Sequence, residues 1–172
     1  EQALAPPALS DQTADLVERA LEVLGHGDPV DAATVALLAV DRLGDGRFVA
    51  AAHRYAEQSG LFERRVAAIE RAIAWTEGAS RATNLRALAA MYAEAKEPAR
   101  EARTYLRLLA EVPEAAEAWD RLSHLYAEAR EPERLLAVLA LRLEAASTPE
   151  ARSLRLLHLA LAALVVARDP ER

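Results

Sequence analysis

An eight-residue stretch occurs twice in this chain with two conservative changes. Residues 91–98 read MYAEAKEP and residues 125–132 read LYAEAREP, a shift of 34 positions. The same shift relates Leu88, Leu122 and Leu156. A period of this length is typical of arrays in which each repeat is one supersecondary unit that cannot bury its apolar face alone. The sequence therefore predicts a stack of similar units, each packing on the next.

The segments between helix breakers have a helical pattern. Apolar residues recur at spacings of three and four, as in Leu85, Leu88, Ala89 and Tyr92, and no segment alternates with a period of two. Glycine and proline interrupt this pattern repeatedly along the chain. We therefore predict an all-α fold without strands, with nine helices near residues 11–24, 29–43, 47–59, 61–77, 80–95, 98–111, 114–129, 132–146 and 149–167.

Proline follows an acidic residue at three of the predicted helix starts, Asp28-Pro29, Glu97-Pro98 and Glu131-Pro132. We expect each acidic side chain to accept unpaired backbone N–H groups of the first turn, while proline fills the first helical position. Predicted helix ends are marked by glycines, whose left-handed backbone closes a helix at least cost. These glycines are Gly44, Gly60 and Gly78.

Composition excludes several classes of protein. Of 172 residues, 52% are apolar and 28% charged, so the chain is too apolar to be disordered and too evenly charged to span a membrane. The net charge of −6 argues against nucleic acid as the partner, since such binding depends on clustered Lys and Arg. All basic residues except Lys96 are arginine, a bias typical of a high-GC, bacterial genome.

Cysteine is absent, which excludes disulfides, thiolate metal sites and a cysteine nucleophile. The compartment is therefore undetermined, and cytoplasm is only the default. The chain starts at Glu1 without a signal peptide, and we expect residues 1–10 to be a linker or disordered. Residues 167–172 echo the turn at 129–134, so we expect a fragment whose parent continues or whose last helix is a cap.

Two units share one pattern of large and small residues, and a third shares it in part. They read Trp119-x2-Leu122-Ser123-x2-Tyr126, Leu85-x2-Leu88-Ala89-x2-Tyr92 and Phe48-x2-Ala51-Ala52-x2-Tyr55. This pattern resembles the tetratricopeptide repeat (TPR), W-x2-L-G-x2-Y. The resemblance implies a right-handed α-solenoid of antiparallel helix pairs forming a single array over residues 11–172. Its units would lie near residues 11–45, 46–79, 80–113 and 114–148, with a partial or capping unit at 149–172.

The resemblance also implies a concave groove lined by the first helix of each pair. Its lining residues stand one, five, eight and nine places after the Trp-equivalent position. Small side chains, Ala56, Ala93 and Ala127, would let a partner approach closely. The predicted lining is Val49, His53, Glu57, Arg86, Ala90, Glu94, Asp120, His124, Ala127, Glu128, Leu154, His158 and Leu161.

Two rows in this predicted groove have alternative interpretations. Three of the four histidines share one repeat position, which indicates either a polar or pH-responsive contact row or surface histidines copied by duplication. The carboxylates Glu57, Glu94 and Glu128 either select a partner with Arg or Lys, or form a solvated face with i,i+4 partners. Metal binding is not expected at the histidines, because neighbouring helices lie about 8–10 Å apart.

No catalytic constellation or phosphate-binding glycine motif is visible, so we expect neither an enzyme nor a cofactor. The most direct interpretation is a protein–protein interaction scaffold or adaptor, part of a larger protein, that binds a peptide or helix of basic character. The alternative is a structural module that self-associates through its C-terminal helix, where Leu161, Leu164, Val165 and Val166 would form an exposed apolar stripe. A regulatory domain that holds a small ligand is a third interpretation.

Overall fold

Nine helices and no strands make up residues 11–168, the part of the chain that the computed structural model describes, with side chains described from 13 to 166. The all-α prediction is confirmed over this range. Residues 1–10, predicted to be a linker, and the repeat-like turn after residue 168 lie outside the described residues. The helices are α1 (Asp11–Gly27), α2 (Pro29–Leu43), α3 (Arg47–Ser59), α4 (Phe62–Trp75), α5 (Gly78–Glu94), α6 (Pro98–Glu111), α7 (Ala116–Glu128), α8 (Pro132–Glu144) and α9 (Pro149–Arg168).

The predicted bounds of α2, α3 and α6 match the structure, and α1 shows the largest difference. This helix continues to Gly27, three residues past the predicted end. Gly25 stays helical and lies directly against the ring of Tyr55 on α3, where a β-carbon would overlap the aromatic Cε1. Here glycine serves close packing between two helices and does not end a helix.

Capping follows the prediction at α2 and differs from it at α6 and α8. The Asp28 carboxylate accepts hydrogen bonds from the backbone N–H groups of Val30 and Asp31, at 2.9 and 3.2 Å. Glu97 and Glu131 make no such bonds, and the prediction is wrong there. Both carboxylates instead pair with the arginine three residues later.

Gly44 and Gly60 close α2 and α3 in the left-handed conformation, with φ of 60° and 65°, as predicted. Gly78 also has a positive φ, but it begins α5, whereas α4 ends at Trp75 with Thr76 as its C-cap. The prediction that Gly78 closes the preceding helix is therefore wrong by position, although its left-handed backbone is present.

The repeated stretch forms the same turn twice. Lys96 and Arg130, which are equivalent at the 34-residue shift, have φ of 57° and 55°. The N–H of the following glutamate donates to the carbonyl five residues earlier, Glu97 to Tyr92 and Glu131 to Tyr126, both at 2.9 Å. This 6→1 hydrogen bond with a left-handed residue before it is the Schellman motif.

The same repeated turn carries a second set of equivalent contacts. Arg100 pairs with Glu97 at 3.1 Å and Arg134 pairs with Glu131 at 2.8 Å. Each arginine also lies near a tyrosine ring, with guanidinium-to-centroid distances of 5.7 Å to Tyr92 and 6.0 Å to Tyr126. Sequence repetition is therefore matched by repetition of backbone, ion pair and cation–π contact.

The chain divides into two units, unit 1 (Glu1–Leu88) and unit 2 (Ala89–Arg172), of which the structure describes residues 11–88 and 89–168; the boundary lies inside α5. In unit 1, α2 packs against α1, α3 and α4, and α3 packs against α4. Small side chains let these helices approach closely, while Phe48 and Tyr55 fill the remaining space. Fully buried alanines of unit 1 are Ala32, Ala33, Ala36, Ala52, Ala56 and Ala68.

In unit 2, α7 packs against α6 and α8, and α8 packs against α9. Leu108 and Leu122 are fully buried, and the buried Trp119 donates its Nε1–H to the carbonyl of Pro113 at 2.8 Å. Burial decreases toward the C-terminus: α8 has one buried residue, Val138, and no described side chain of α9 is buried.

Candidate partner-binding surface

A residue that binds a partner must be exposed to solvent. Most of the residues predicted to line the groove are exposed. Of the 13 residues, 12 are exposed and Val49 is half-buried. Adjacent positions on the same helices are in the core: Phe48 precedes Val49, and Trp119 precedes Asp120. The phase of the repeat therefore separates packing residues from solvent-facing ones on α3 and α7.

Ala56 departs from this pattern. We expected it to give a partner close access, but it is fully buried within unit 1 and cannot contact a partner. Ala93 is half-buried, and Ala127 is exposed. Of these three alanines, only Ala127 is classed as exposed.

In unit 1, the predicted surface on α3 consists of Val49, His53 and Glu57. The Glu57 carboxylate already has a cation, since Arg65 Nε on α4 lies 2.7 Å from Glu57 Oε1. This pair joins the two helices of one hairpin. A basic partner group would have to compete with Arg65 for the Glu57 carboxylate.

In unit 2, α7 presents Asp120, His124 and Glu128 along one exposed face. His124 Nε2 lies 3.2 Å from Glu128 Oε1, so the predicted histidine and carboxylate rows contact each other at i,i+4 spacing. Asp120 pairs with Arg142 of α8 at 2.7 Å. On α5, Glu94 and Ala90 are exposed, and no ion pair of Glu94 is found within residues 11–168.

On α9, the predicted surface residues Leu154, His158 and Leu161 are all exposed. They belong to a larger apolar surface than the groove prediction includes. Other exposed side chains of this helix are Leu156, Leu157, Leu164 and Val165, with exposed fractions of 49–69%. The predicted stripe of Leu161, Leu164 and Val165 is thus exposed, and Val166 is half-buried.

Sequence reasoning did not identify the cleft beside the second repeated turn. It has a volume of about 430 Å³ and lies between α6 and the α7–α8 turn, with Leu106, Leu125 and Tyr126 as its large apolar side chains. Arg103 and Arg134 also line it. The sequence did contain one indication of this cleft. In both copies of the repeat an arginine stands two residues after the proline of the Glu-Pro pair, and the second of these arginines, Arg134, lines the cleft.

A buried ion pair in unit 2 is structural. Glu101, 2% exposed, accepts hydrogen bonds from Arg121 Nε and Nη2 at 2.6 and 3.1 Å. The Glu101 carboxylate raises the pKa of Arg121 through this hydrogen bond, and burial raises the pKa of the Tyr105 phenol beside the pair. The bidentate contact fastens α6 to α7.

Within residues 11–168, no three His, Asp or Glu side chains are grouped so that they could hold a metal ion. None of the helices in that range is both long and apolar enough to cross a bilayer. Comparison of the chain with models of protein families, with curated proteins and with solved structures gave no match. The likeness to TPR proteins therefore rests on the residues of this sequence alone.

Proposed function

We propose that this chain is a protein–protein interaction module of the TPR-like class, with partner-binding residues on the first helix of each hairpin. The observation that carries the proposal is the division of α7 into two faces. Trp119, Leu122 and Leu125 are buried, whereas Asp120, His124 and Glu128 are exposed. Packing needs one face of this helix and leaves the other for a partner.

The charge of the exposed face favours a partner with basic character. Glu94 and Glu128 are exposed carboxylates in unit 2. Glu128 contacts His124, and the nearest arginine that interacts with it, Arg121, is already bound to Glu101. Glu57 and Asp120 are already paired with arginines. An arginine or lysine of the partner would therefore gain most at Glu94 and Glu128.

The test uses a phage-displayed library of random peptides against the full chain. Selected peptides should be enriched in Arg and Lys, and the strongest is then synthesised for fluorescence anisotropy. Glu94→Lys/Glu128→Lys should weaken its binding at least about tenfold, because two attractive contacts become repulsive. Binding should also weaken as salt is raised, since exposed charges are screened.

A matched double variant controls for net charge. Glu114→Lys/Glu144→Lys makes the same charge change at two exposed positions of unit 2, in a loop and at the end of α8. Its affinity for the peptide should remain within about twofold of the original. An equal loss in both variants, selected peptides without basic residues, or no selectable peptide would each contradict the proposal.

A further inference from the structure

The last helix has two apolar faces, and within the described part of its unit it packs on α8. Its inner face packs on α8 through half-buried residues such as Ala151, Leu159 and Ala162. Its other apolar face, which we call the outer stripe, consists of Leu154, Leu157, Leu161 and Leu164, each 52–57% exposed. A helix that is apolar on all sides is normally buried on all sides.

The spacing of the outer stripe indicates what kind of surface would cover it. The four leucines are separated by three, four and three residues, the a/d spacing of helices that pack along a common seam. Residues 159–167 are moreover all apolar in sequence, so nine successive positions of α9, including Leu161 and Leu164, carry no charge. A second helix is the complementary surface.

The stripe is also symmetric under reversal of the helix. Consider two copies of α9 that run antiparallel with their Leu159 residues at the same level. Leu157 of each copy then lies opposite Leu161 of the other copy, and Leu154 lies opposite Leu164. The same register brings position 168, an arginine in the sequence, opposite Glu150. By sequence, the residues at the two ends of this register are opposite in charge, whereas a parallel pair would put Glu150 opposite Glu150.

We propose that two copies of this chain associate through their outer stripes, with the two α9 helices antiparallel about a two-fold axis. A two-fold contact is self-complementary, so each leucine is used twice in one interface. The interaction is distinct from peptide binding at Glu94 and Glu128. It would cover Leu154 and Leu161, the apolar end of the predicted partner surface.

Analytical ultracentrifugation of the full chain tests the association. The mean mass should rise from monomer to dimer with concentration and go no further. Leu157→Glu/Leu164→Glu, at two positions outside the predicted groove, should weaken the association at least about a hundredfold, because each dimer would bury four carboxylates. Circular dichroism should show unchanged helix content, since both residues are exposed.

A matched control lies on α1, where Leu16 and Val23 are exposed by 64% and 76%. Like Leu157 and Leu164, these two residues are seven positions apart, but no further leucines extend them into a stripe. Leu16→Glu/Val23→Glu should leave the monomer–dimer equilibrium unchanged. If this variant becomes monomeric while the α9 variant still associates, the proposed surface is wrong.

Charge reversal tests the antiparallel register. Glu150→Arg and Arg168→Glu should each weaken dimerisation about threefold to tenfold, because two attractive pairs per dimer become repulsive. The double variant should restore the original affinity. Failure of this rescue, or a monomer at all concentrations up to about 1 mM, overturns the proposal. Loss of peptide binding with dimerisation intact would affect only the proposed function.

Discussion

Helices α2 and α9 are both rich in apolar residues, yet they differ in what surrounds them. Within unit 1, α2 packs against three helices and has six buried residues. Within unit 2, α9 packs against α8, and none of its described side chains is buried. This difference indicates that the burial of a helix in such an array depends more on the helices that pack against it than on its own apolar content.

The sharpest test of this difference compares one substitution at two positions. Leu37 on α2 is 8% exposed and Leu157 on α9 is 55% exposed. Leu37→Ala should lower the free energy of unfolding by about 2–4 kcal/mol, because it removes buried methyl groups and leaves a cavity. Leu157→Ala should change it by less than about 0.5 kcal/mol.

Urea unfolding followed by circular dichroism gives both values, and it should be done at concentrations where the chain is monomeric. The comparison fails if the two variants lose similar stability at dilution, since Leu157 would then be buried in the monomer.

A second prediction concerns the tight contact between α1 and α3. Gly25→Ala should lower the free energy of unfolding by about 1–3 kcal/mol, because the added methyl group forces Tyr55 to move. Gly27 ends the same helix with open space around it. Gly27→Ala should be neutral or slightly stabilising, because alanine is the better helix former.

Thermal unfolding of the two alanine variants measures this difference. Equal melting temperatures would show that Tyr55 has room to move, and that unit 1 is packed less tightly than its buried alanines indicate.

The smallest expected effect is at the turn between α7 and α8. Arg130 has a left-handed backbone, which costs a residue with a β-carbon about 1–2 kcal/mol. Arg130→Gly removes this cost, but glycine loses more conformational entropy on folding than arginine does. The net result should be a gain of about 0.5–1 kcal/mol in the free energy of unfolding. Arg103→Gly, inside α6, should destabilise it by about 1 kcal/mol.

Differential scanning calorimetry of Arg130→Gly and Arg103→Gly gives the sign of each change. A loss of stability at Arg130 would mean that its side chain contributes more than its backbone costs.

The sequence predicted the helices well because their boundaries depend on local signals. Asp28, Gly44 and Gly60 act within one turn of the backbone, and neighbouring residues are enough to interpret them. The exposed face of α7 was predictable for the same reason, since helical period alone separates Trp119 from Asp120.

Other features depend on residues far apart in the chain. The contact of Gly25 with Tyr55 brings α1 against α3, and the Arg71–Asp41 ion pair joins positions 30 residues apart. Ala56 was misjudged because its burial depends on neighbours that a repeat pattern does not specify. The left-handed Lys96 and Arg130 were missed because neither residue type favours that conformation.

Hydrogen exchange of the monomeric chain tests most directly whether neighbours determine the stability of each helix. At high dilution, amides of α9 should exchange by local opening, orders of magnitude faster than amides of α2. As concentration rises, α9 should gain protection and α2 should not change. Protection of α9 equal to that of α2 at high dilution would contradict the account.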